Sequence, residues 1–244
     1  MGGAPLALVR APGKPQPAIY LSELDLELGQ RGMLDRLSPS EVAAVRLASR
    51  VYTTGPDENV FVQGDVHNGI FLIEDGRVRT FYVGPSGKEL TLAYWTPGHF
   101  VGGPEVFGGG MHMWSAVTVE PSRLAHLPGA AVRHLAETIP AFALALIDAL
   151  VAKGKFYSAL AQMLGTRSVT ARLAQLLFIL SDASADEGVR RIERKITHEQ
   201  LAGIIGSTRQ WVTATLARYQ KRGIVKISDD RIAILQPDAL RSEC

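Results

Sequence analysis

Cysteine is scarce in this chain, since Cys244 is the single one among 244 residues. One thiol excludes a disulfide scaffold, a four-cysteine zinc site and an all-cysteine iron–sulfur cluster, and it fits a reducing compartment. Long apolar runs are missing as well. No 18 consecutive residues are apolar, and the N-terminus has only the short run Leu6–Val9, too short for a signal peptide. We therefore expect a cytoplasmic protein with no membrane partner.

Net charge is also small, with a formal value of +2, but its distribution is uneven. Residues 166–244 carry 13 Lys and Arg against 9 Asp and Glu, a balance of +4, whereas residues 1–165 carry 13 against 15, a balance of −2. Positive charge concentrated in one segment favours contact with nucleic acid, although a solvated basic face would carry the same charge. A hydrophobic content of 46% excludes a disordered chain.

The N-terminal half of the sequence has a β texture. Residues 1–20 are expected to be a flexible arm, because four prolines fall within the first 18 residues. Ser38 and Pro39 predict the start of a short helix that runs to about Arg50. Over residues 21–128 we predict an N-terminal β-roll, a jelly-roll-like sensor domain, in which Asp75-Gly76 predicts a hairpin. The predicted strands are Asn59–Val62, Ile70–Glu74, Val78–Val83, Leu90–Trp95, Ser115–Val119 and Arg123–Leu127.

A long helical segment follows, and residues 129–165 are expected to form a central helix. Apolar residues three and four apart form a first seam that includes Phe142, Leu146, Ala149, Phe156 and Leu160, which we predict as the dimer seam. A second seam runs through Ala143, Ile147, Leu150, Tyr157, Ala161 and Leu164. Lys153 and Gly154 interrupt the first seam. A helix with two apolar faces is either buried all round in its own chain or shared between the β domain and a second copy.

Residues 166–244 predict a winged helix-turn-helix. Thr197 and Gln200 form a capping box, Gly206 supplies a sharp turn, and Ser207 or Thr208 caps the second helix. Leu201, Ala202 and Ile205 face inward from the first helix, and Val212 and Leu216, with Ala217 or Tyr219, face inward from the second. The strand-like runs Ile224–Ile227 and Ile232–Leu235 predict the hairpin wing. An ordinary αα-hairpin is the alternative interpretation.

The exposed start of the second predicted helix carries Arg209, Gln210 and Thr213. In a helix-turn-helix these N-terminal positions contact base edges in the major groove. Arginine suits guanine and glutamine suits adenine, because each pair of groups can form two hydrogen bonds.

An α+β chain with a β-roll, a central helix and a winged helix-turn-helix in that order resembles the Crp/Fnr family of bacterial transcription regulators. The most specific pieces are the runs from Leu201 to Gln210 and from Gly76 to Phe100. The resemblance implies a homodimer that binds a palindromic operator in double-stranded DNA, works with RNA polymerase and responds to an effector in the β-roll. It assigns Arg209, Gln210 and Thr213 to the bases, with Gln210 replacing a common glutamate. The hydroxyls assigned to DNA phosphates are those of Thr197, Ser207 and Thr208.

The effector pocket implied by the resemblance departs from the cyclic-AMP pattern. Gly103 stands where a ribose-binding glutamate is expected, with Glu105 nearby, and Trp114 stands where a phosphate-binding arginine is expected. Without that arginine a phosphodiester loses its charge-assisted partner, so we expect a planar or aromatic effector other than cyclic AMP. The pocket residues expected are Trp95, Gly102, Gly103, Glu105, Trp114, Ser115, Tyr157 and Ser158. The alternative is that Trp95 and Trp114 only fill the core.

Other chemistries are weighed by residue type. Haem-based gas sensing is an alternative because five histidines could act as axial ligands, although each is interpreted as a surface or turn residue. They are His67, His99, His112, His126 and His134. No metal-ligand spacing or Ser/His/Asp arrangement stands out, so we predict no metal, no cofactor beyond an unidentified small-molecule effector, and no enzyme. A β-roll ligand-binding protein or enzyme without a DNA role is the second class of function.

Overall fold

The structure is a computed structural model that describes residues 32–183, 188–192, 196–228 and 231–244. The predicted arm at residues 1–20 lies outside these ranges. The elements, in chain order, are helix α1 (Pro39–Leu47), strands β1 (Arg50–Thr54), β2 (Asn59–Phe61), β3 (Gly69–Asp75), β4 (Val78–Val83), β5 (Glu89–Trp95), β6 (Phe100–Val101), β7 (Ser115–Thr118) and β8 (Ser122–Pro128), helices α2 (Gly129–Thr138), α3 (Pro140–Thr166) and α4 (Val169–Leu180), strands β9 (Asp182–Ala183) and β10 (Arg190–Ile192), helices α5 (His198–Ile205) and α6 (Arg209–Lys221), strands β11 (Val225–Ser228) and β12 (Arg231–Ile234), and helix α7 (Pro237–Arg241). This order confirms the predicted α+β architecture.

The N-terminal strands form two four-stranded antiparallel sheets, ordered β1-β8-β3-β6 and β2-β7-β4-β5. Apolar side chains from both sheets, among them Ile73, Val78 and Leu124, meet between them in a buried core. A domain of two packed sheets is stable because each buries one face against the other. The predicted β-roll is confirmed.

The hairpin predicted at Asp75-Gly76 is wrong. Strand β3, which ends at Asp75, pairs with β6 and β8, whereas β4 pairs with β5 and β7, so the turn carries the chain from one sheet to the other. Gly76 has φ +83°, and a Cβ there would collide with the backbone of Pro121 and Ser122. Glycine is therefore required by close approach of the β7–β8 connection as well as by the turn.

The first helix is shorter than predicted. It begins at Pro39 with the Ser38 capping box but ends at Leu47 rather than near Arg50. Residues Arg50–Thr54 instead form β1, which pairs antiparallel with β8. The β-branched and aromatic residues of this segment favour a strand, and pairing with the distant strand β8 stabilises it over a continued helix.

The predicted central helix of residues 129–165 is two helices. Helix α2 ends at Thr138, Ile139 is extended with φ −125° and ψ 93°, and α3 begins at Pro140. A residue that precedes proline is disfavoured in the helical region, and proline itself is favoured at the first helical position. The sequence Ile139-Pro140 therefore separates α2 from a 27-residue α3.

The predicted dimer seam is also wrong. Its members pack against the chain's own β-roll and α2, since Phe142, Leu146, Phe156 and Leu160 are buried in the apolar clusters there and Ala149 is partly buried beside them. The opposite face of α3 is uncovered instead. Its large members Leu144, Ile147 and Val151 are exposed by 59%, 54% and 51%.

The C-terminal unit confirms the predicted winged helix-turn-helix. Helices α4, α5 and α6 surround an apolar core, and β11 and β12 pair antiparallel with Val225 opposite Ile234. The sheet is wider than predicted, with order β11-β12-β10-β9. Strands β9 and β10 are too short to give a periodic signal in the sequence. Within the described ranges no helix is long and apolar enough to cross a membrane.

Candidate nucleic-acid interface and ligand pocket

Two local signals position the helix-turn-helix. The Thr197 hydroxyl accepts the Gln200 backbone N–H at 3.1 Å, and the Gln200 side chain accepts the Thr197 N–H at 2.8 Å, which completes the predicted capping box. Gly206 ends α5 in the left-handed region with φ 66° and ψ 41°. A residue with a Cβ is disfavoured in that conformation, so glycine allows the chain to turn at once into α6.

Helix α6 presents the predicted base-reading residues to solvent. Thr208 is its N-cap and accepts the Trp211 N–H at 3.2 Å, so Arg209 and Gln210 occupy the first helical turn and are exposed. The helix is held by its buried face, where Val212, Leu216 and Tyr219 are fully enclosed. Ala217, the alternative to Tyr219, is exposed. The guanidinium of Arg209 and the side-chain amide of Gln210 therefore both lie at the exposed N-terminal end of α6.

Thr213 and the three predicted phosphate-binding hydroxyls lie along the same surface. The Thr213 hydroxyl donates to the Arg209 carbonyl at 2.9 Å and lies 2.8 Å from His198 Nδ1. Thr197 and Thr208 use their oxygens as caps, which leaves each O–H hydrogen able to donate to a phosphate. Ser207 is partly exposed between the helices. Thr213 is therefore the base-reading candidate whose side chain is already engaged.

Strand β5 of the roll contacts the helix-turn-helix directly. Lys88 Nζ donates to the carbonyl of Gly206 at 2.8 Å, and Tyr94 is buried within the core of the C-terminal unit. A Cβ on Gly203 would lie 3.0 Å from the Thr91 hydroxyl, which shows how closely α5 approaches the strand. The sequence offered no signal for this contact, because it joins residues more than 100 positions apart.

The predicted effector-pocket residues separate into two groups. The first is aromatic and faces α3: the Trp114 ring lies 5.7 Å from that of Tyr157, and Tyr157 lies 6.4 Å from Trp95. Trp95 is 2% exposed and donates its indole N–H to the Thr80 hydroxyl at 3.0 Å, so it fills the core. Trp114 and Tyr157 are only partly buried. Burial raises the pKa of the Tyr157 hydroxyl, which is therefore a neutral donor.

The second group surrounds His67. The Gly103 N–H donates to His67 Nε2 at 2.7 Å, and the Glu105 carboxylate favours the charged form of this imidazole, although burial lowers its pKa overall. Gly102 packs on the backbone of Gly69 with φ +102°. These contacts place Gly102, Gly103 and Glu105 around a buried histidine, in a group separate from the aromatic pair of Trp114 and Tyr157.

Two predicted pocket hydroxyls are engaged elsewhere. Ser115 is 3% exposed and accepts the Gln63 backbone N–H at 3.0 Å. Ser158 is exposed on α3 and donates to the Gly154 carbonyl of its own helix at 2.8 Å. Ser158 lies on the uncovered side of α3 and does not face the pocket of its own chain, so its place in an effector pocket stays a prediction.

Four of the five histidines, interpreted as surface or turn residues, are buried or partly buried, although His67, His99 and His112 do lie in connections between strands. His67, His112 and His126 are 2%, 4% and 9% exposed, and His99 is partly buried, whereas His134 is exposed. His112 stacks on Phe61 with centroids 3.9 Å apart. Among the described residues no group of three or more His, Cys, Asp or Glu side chains is placed to hold a metal ion.

Lys153 is the site residue that sequence reasoning missed. Its Nζ lies 3.3 Å from the centroid of the Trp95 ring and donates to the Phe100 carbonyl at 2.7 Å. Burial holds the pKa of this amine well below its usual range. A signal was present, because Lys153 interrupts an otherwise apolar seam; a charged residue there marks either a weak coiled coil or an internal polar contact.

Comparisons with known proteins agree with this arrangement. Residues 53–138 match the sequence model of the cyclic nucleotide-binding domain, and residues 171–243 match that of the Crp-like helix-turn-helix domain. The chain is 24% identical over 220 residues to the CRP-like cAMP-activated global transcriptional regulator of Mycobacterium tuberculosis, covering 89% of this chain and 98% of that protein. It is 27% identical over 200 residues to the cyclic AMP receptor protein of Thermus thermophilus, covering 81% and 89%.

Solved structures share the fold. The c-di-GMP responsive global regulator CLP of Xanthomonas campestris superposes with a TM-score of 0.72 at 19% identity, covering 81% of this chain and 99% of that one. CooA from Carboxydothermus hydrogenoformans superposes with a TM-score of 0.70 at 20% identity, covering 88% and 97%. The same two-unit architecture thus occurs in regulators whose sequences differ widely from this one.

Proposed function

Because this chain belongs to the Crp/Fnr family and is an effector-responsive, DNA-binding transcription regulator rather than an enzyme, we propose that it acts as a homodimer on a palindromic operator. We further propose that its effector is a planar molecule other than cyclic AMP, bound in the β-roll. The protein is proposed to act in the bacterial cytoplasm and to have RNA polymerase as a further partner.

The observation that carries the DNA-reading proposal is the exposed first turn of α6. Arg209 and Gln210 project from a helix whose buried face and N-cap are both satisfied, so the backbone that carries them is held in place before DNA binds. Side chains preorganised in this way can read base edges, while Thr197, Ser207 and Thr208 supply hydroxyls for the phosphates. Thr213 can contact the neighbouring base once its hydroxyl gives up the hydrogen bond to His198 Nδ1.

The uncovered face of α3 supports a dimer. Leu144, Ile147 and Val151 repeat at intervals of three and four residues, and the same stripe continues through the small residues Gly154 and Ser158. A Cβ added at Gly154 would meet nothing within 4 Å. An apolar stripe of this spacing is buried when a second identical helix packs against it. This face replaces the seam predicted from sequence.

The partly buried pair Trp114 and Tyr157 supports a planar effector. Aromatic rings that retain an accessible face stack on flat ligands, and Trp114 stands where the resemblance expects a phosphate-binding arginine. Arg79 does not substitute for it, because its guanidinium pairs with Glu89 at 2.9 Å and bonds Thr91, whereas the neighbouring Thr80 is the β4 residue that bonds Trp95. Since the Mycobacterium tuberculosis relative is cAMP-activated, cyclic AMP belongs in every test of this site.

The deciding experiment is selection of bound sequences from random DNA, with and without a panel of planar metabolites and cyclic AMP. We expect a palindromic consensus, a dimer by sedimentation, and steep loss of affinity with rising salt. Planar effectors should quench tryptophan fluorescence, whereas cyclic AMP should not. Binding with no sequence preference would contradict the base-reading role, and saturable micromolar binding of cyclic AMP would contradict the effector class. A Soret band in the purified protein would favour the haem alternative.

A further inference from the structure

We propose that the effector is a planar organic acid whose terminal carboxylate pairs with the Lys153 ammonium at the aromatic cluster of Trp95, Tyr157 and Trp114. This inference rests on the proposed planar-effector function and names the charge that the effector carries. The occupant is a carboxylate rather than a cyclic phosphodiester, for reasons of shape given below.

The first support is the surroundings of the amine. Lys153 Nζ is enclosed between the rings of Trp95, at 3.3 Å from the centroid, and Phe100, at 4.5 Å, and its hydrogen bond goes to the neutral Phe100 carbonyl. Within the described parts of the chain no carboxylate pairs with it. Lys153 is partly buried, and its amine is packed against rings and a single carbonyl without the counter-charge that enclosed cations normally have.

The second support is the chemistry that follows from that missing counter-charge. Burial holds the pKa of the Lys153 amine well below its usual range, because a cation packed among rings loses hydration. A bound carboxylate restores the ammonium form, because an opposite charge nearby favours protonation. An amine that is neutral before binding takes a proton from solvent and forms a third N–H bond, because the acid itself binds as its carboxylate. Binding is then accompanied by proton uptake.

The third support is the position of Lys153 relative to the aromatic pair. Trp95 contacts both Lys153 and Tyr157, and Tyr157 contacts Trp114, so the amine and the partly exposed rings belong to one continuous cluster. A flat body stacked on Trp114 would direct a terminal acid group inward. Because the amine is enclosed by two rings, the anionic group must be small and terminal, which a carboxylate is and a phosphodiester closed within a ring is not.

The contact also suggests how binding is communicated. Phe100 begins β6, two residues before Gly102, and its carbonyl is tied to α3 by Lys153. A carboxylate competes with that carbonyl for the ammonium, so binding changes the link between the roll and the helix that carries the proposed dimer face. Lys153 is thus both the anchor for the acid and a positioning residue for α3.

The test uses matched acid and amide probes on the full chain: benzoate and benzamide, 2-naphthoate and 2-naphthamide, indole-3-acetate and indole-3-acetamide. In the wild type at least one acid should bind about tenfold or more tightly than its amide, as expected for a charge-assisted hydrogen bond. Affinity is read from tryptophan quenching and from the shift in melting temperature. Calorimetry in two buffers of different ionisation enthalpy should show proton uptake on binding.

Lys153→Met keeps the length and apolar stem of the side chain but cannot pair with an acid, so it should abolish both the preference and the proton uptake. Lys155→Met, on the exposed side of the same helix, is the control and should retain both. Circular dichroism checks that Lys153→Met is folded. If it is not, Lys153→Arg, which keeps the charge, should retain the acid preference.

Three results overturn the inference: no acid binding to the wild type, equal binding of acids and amides, or a preference that survives in folded Lys153→Met. Equal binding of acids and amides would leave the planar-effector proposal standing. Loss of the acid response in a protein that still selects a palindromic operator would sink the acid proposal alone, whereas failure to select DNA would sink the proposed function.

Discussion

Arg209 is the first residue of α6, and its guanidinium is exposed above a helix whose other side is fully buried. A guanidinium presented in this way can form two hydrogen bonds to the acceptors on the guanine edge, whereas a phosphate contact carries no sequence information. Substitution of Arg209 therefore distinguishes sequence-specific DNA binding from binding by charge attraction alone.

Arg209→Ala should weaken operator binding by about 1–3 kcal/mol and relax the preference at one base position in each half-site. Quantitative gel shifts on the selected operator and its single-base variants measure both effects. Arg46→Ala, which removes an exposed arginine from α1, is the control and should leave affinity and preference unchanged. A uniform loss across all sequences would show that Arg209 contacts phosphate only.

His112 makes the stability of the roll depend on pH. Its ring is stacked on Phe61 and lies 4.3 Å from the ring of His67, and its Nδ1 has no hydrogen-bond partner in the described structure. Burial, and next the charge of His67, lower the pKa of His112 to about 4, while Asp65 acts in the opposite direction. The folded state therefore holds the imidazole neutral.

The unfolded chain binds a proton to this residue at about pH 6.5, so stability is complete above that pH and is lost as the pH falls towards 4. The loss should reach up to about 3 kcal/mol at the lower end, since one pKa unit corresponds to about 1.4 kcal/mol. Urea unfolding at pH 7.5, 6 and 5 measures it. His112→Phe should flatten the dependence, and His134→Phe, at an exposed position on α2, should not.

Helix α3 shows what periodicity can and cannot decide at the scale of an element. The sequence predicts two apolar seams, but Leu150 and Tyr157 of the second seam also pack against the chain's own core. Of the three large uncovered residues on α3 only Ile147 belongs to a predicted seam, because which residues stay exposed depends on where the sheets lie. Phe142 and Phe156 reach into the apolar clusters beside the roll, while Leu144 and Ile147 remain uncovered. Lys153 also belongs to the inward seam, where it contacts Trp95 rather than a partner helix.

Ile147→Asp should dissociate the dimer, because it places a carboxylate at the centre of the uncovered apolar face, where pairing of two helices would bury two like charges. Analytical ultracentrifugation measures the dissociation, and operator affinity should fall with it. Leu47→Asp is the matched control, since Leu47 is 90% exposed on α1 and outside this face. A dimer that survives Ile147→Asp would locate the interface elsewhere.

At the scale of the whole molecule, the sensor roll and the DNA-reading unit share part of a core. Tyr94 is on β5 of the roll yet is buried with Leu173, Leu201 and Ile205 of the C-terminal unit, and it is 6% exposed. Lys88 binds the Gly206 carbonyl on the same side. A change in the roll can therefore reach the turn of the helix-turn-helix through direct contact.

Tyr94→Ala should lower stability by about 3 kcal/mol or more, as removal of a large buried aromatic side chain does. The loss should be seen in the C-terminal unit: hydrogen exchange should accelerate in α5 and α4, although the substitution is in the roll. Tyr82→Ala, on β4 with 41% of the residue exposed, is the control and should leave exchange in α5 unchanged. Unchanged exchange in Tyr94→Ala would mean that the two units melt independently.

The sequence by itself determined the order of the units, the capping boxes at Ser38 and Thr197, the left-handed turn at Gly206 and the exposed first turn of α6. All of these depend on interactions within a few residues, so local chemistry is sufficient. Only the tertiary structure decided that Asp75-Gly76 links two sheets, that Ser158 faces away from the roll, and that Lys153 is buried against Trp95. These outcomes depend on contacts between distant segments, and periodicity states which residues share a face but not what that face meets.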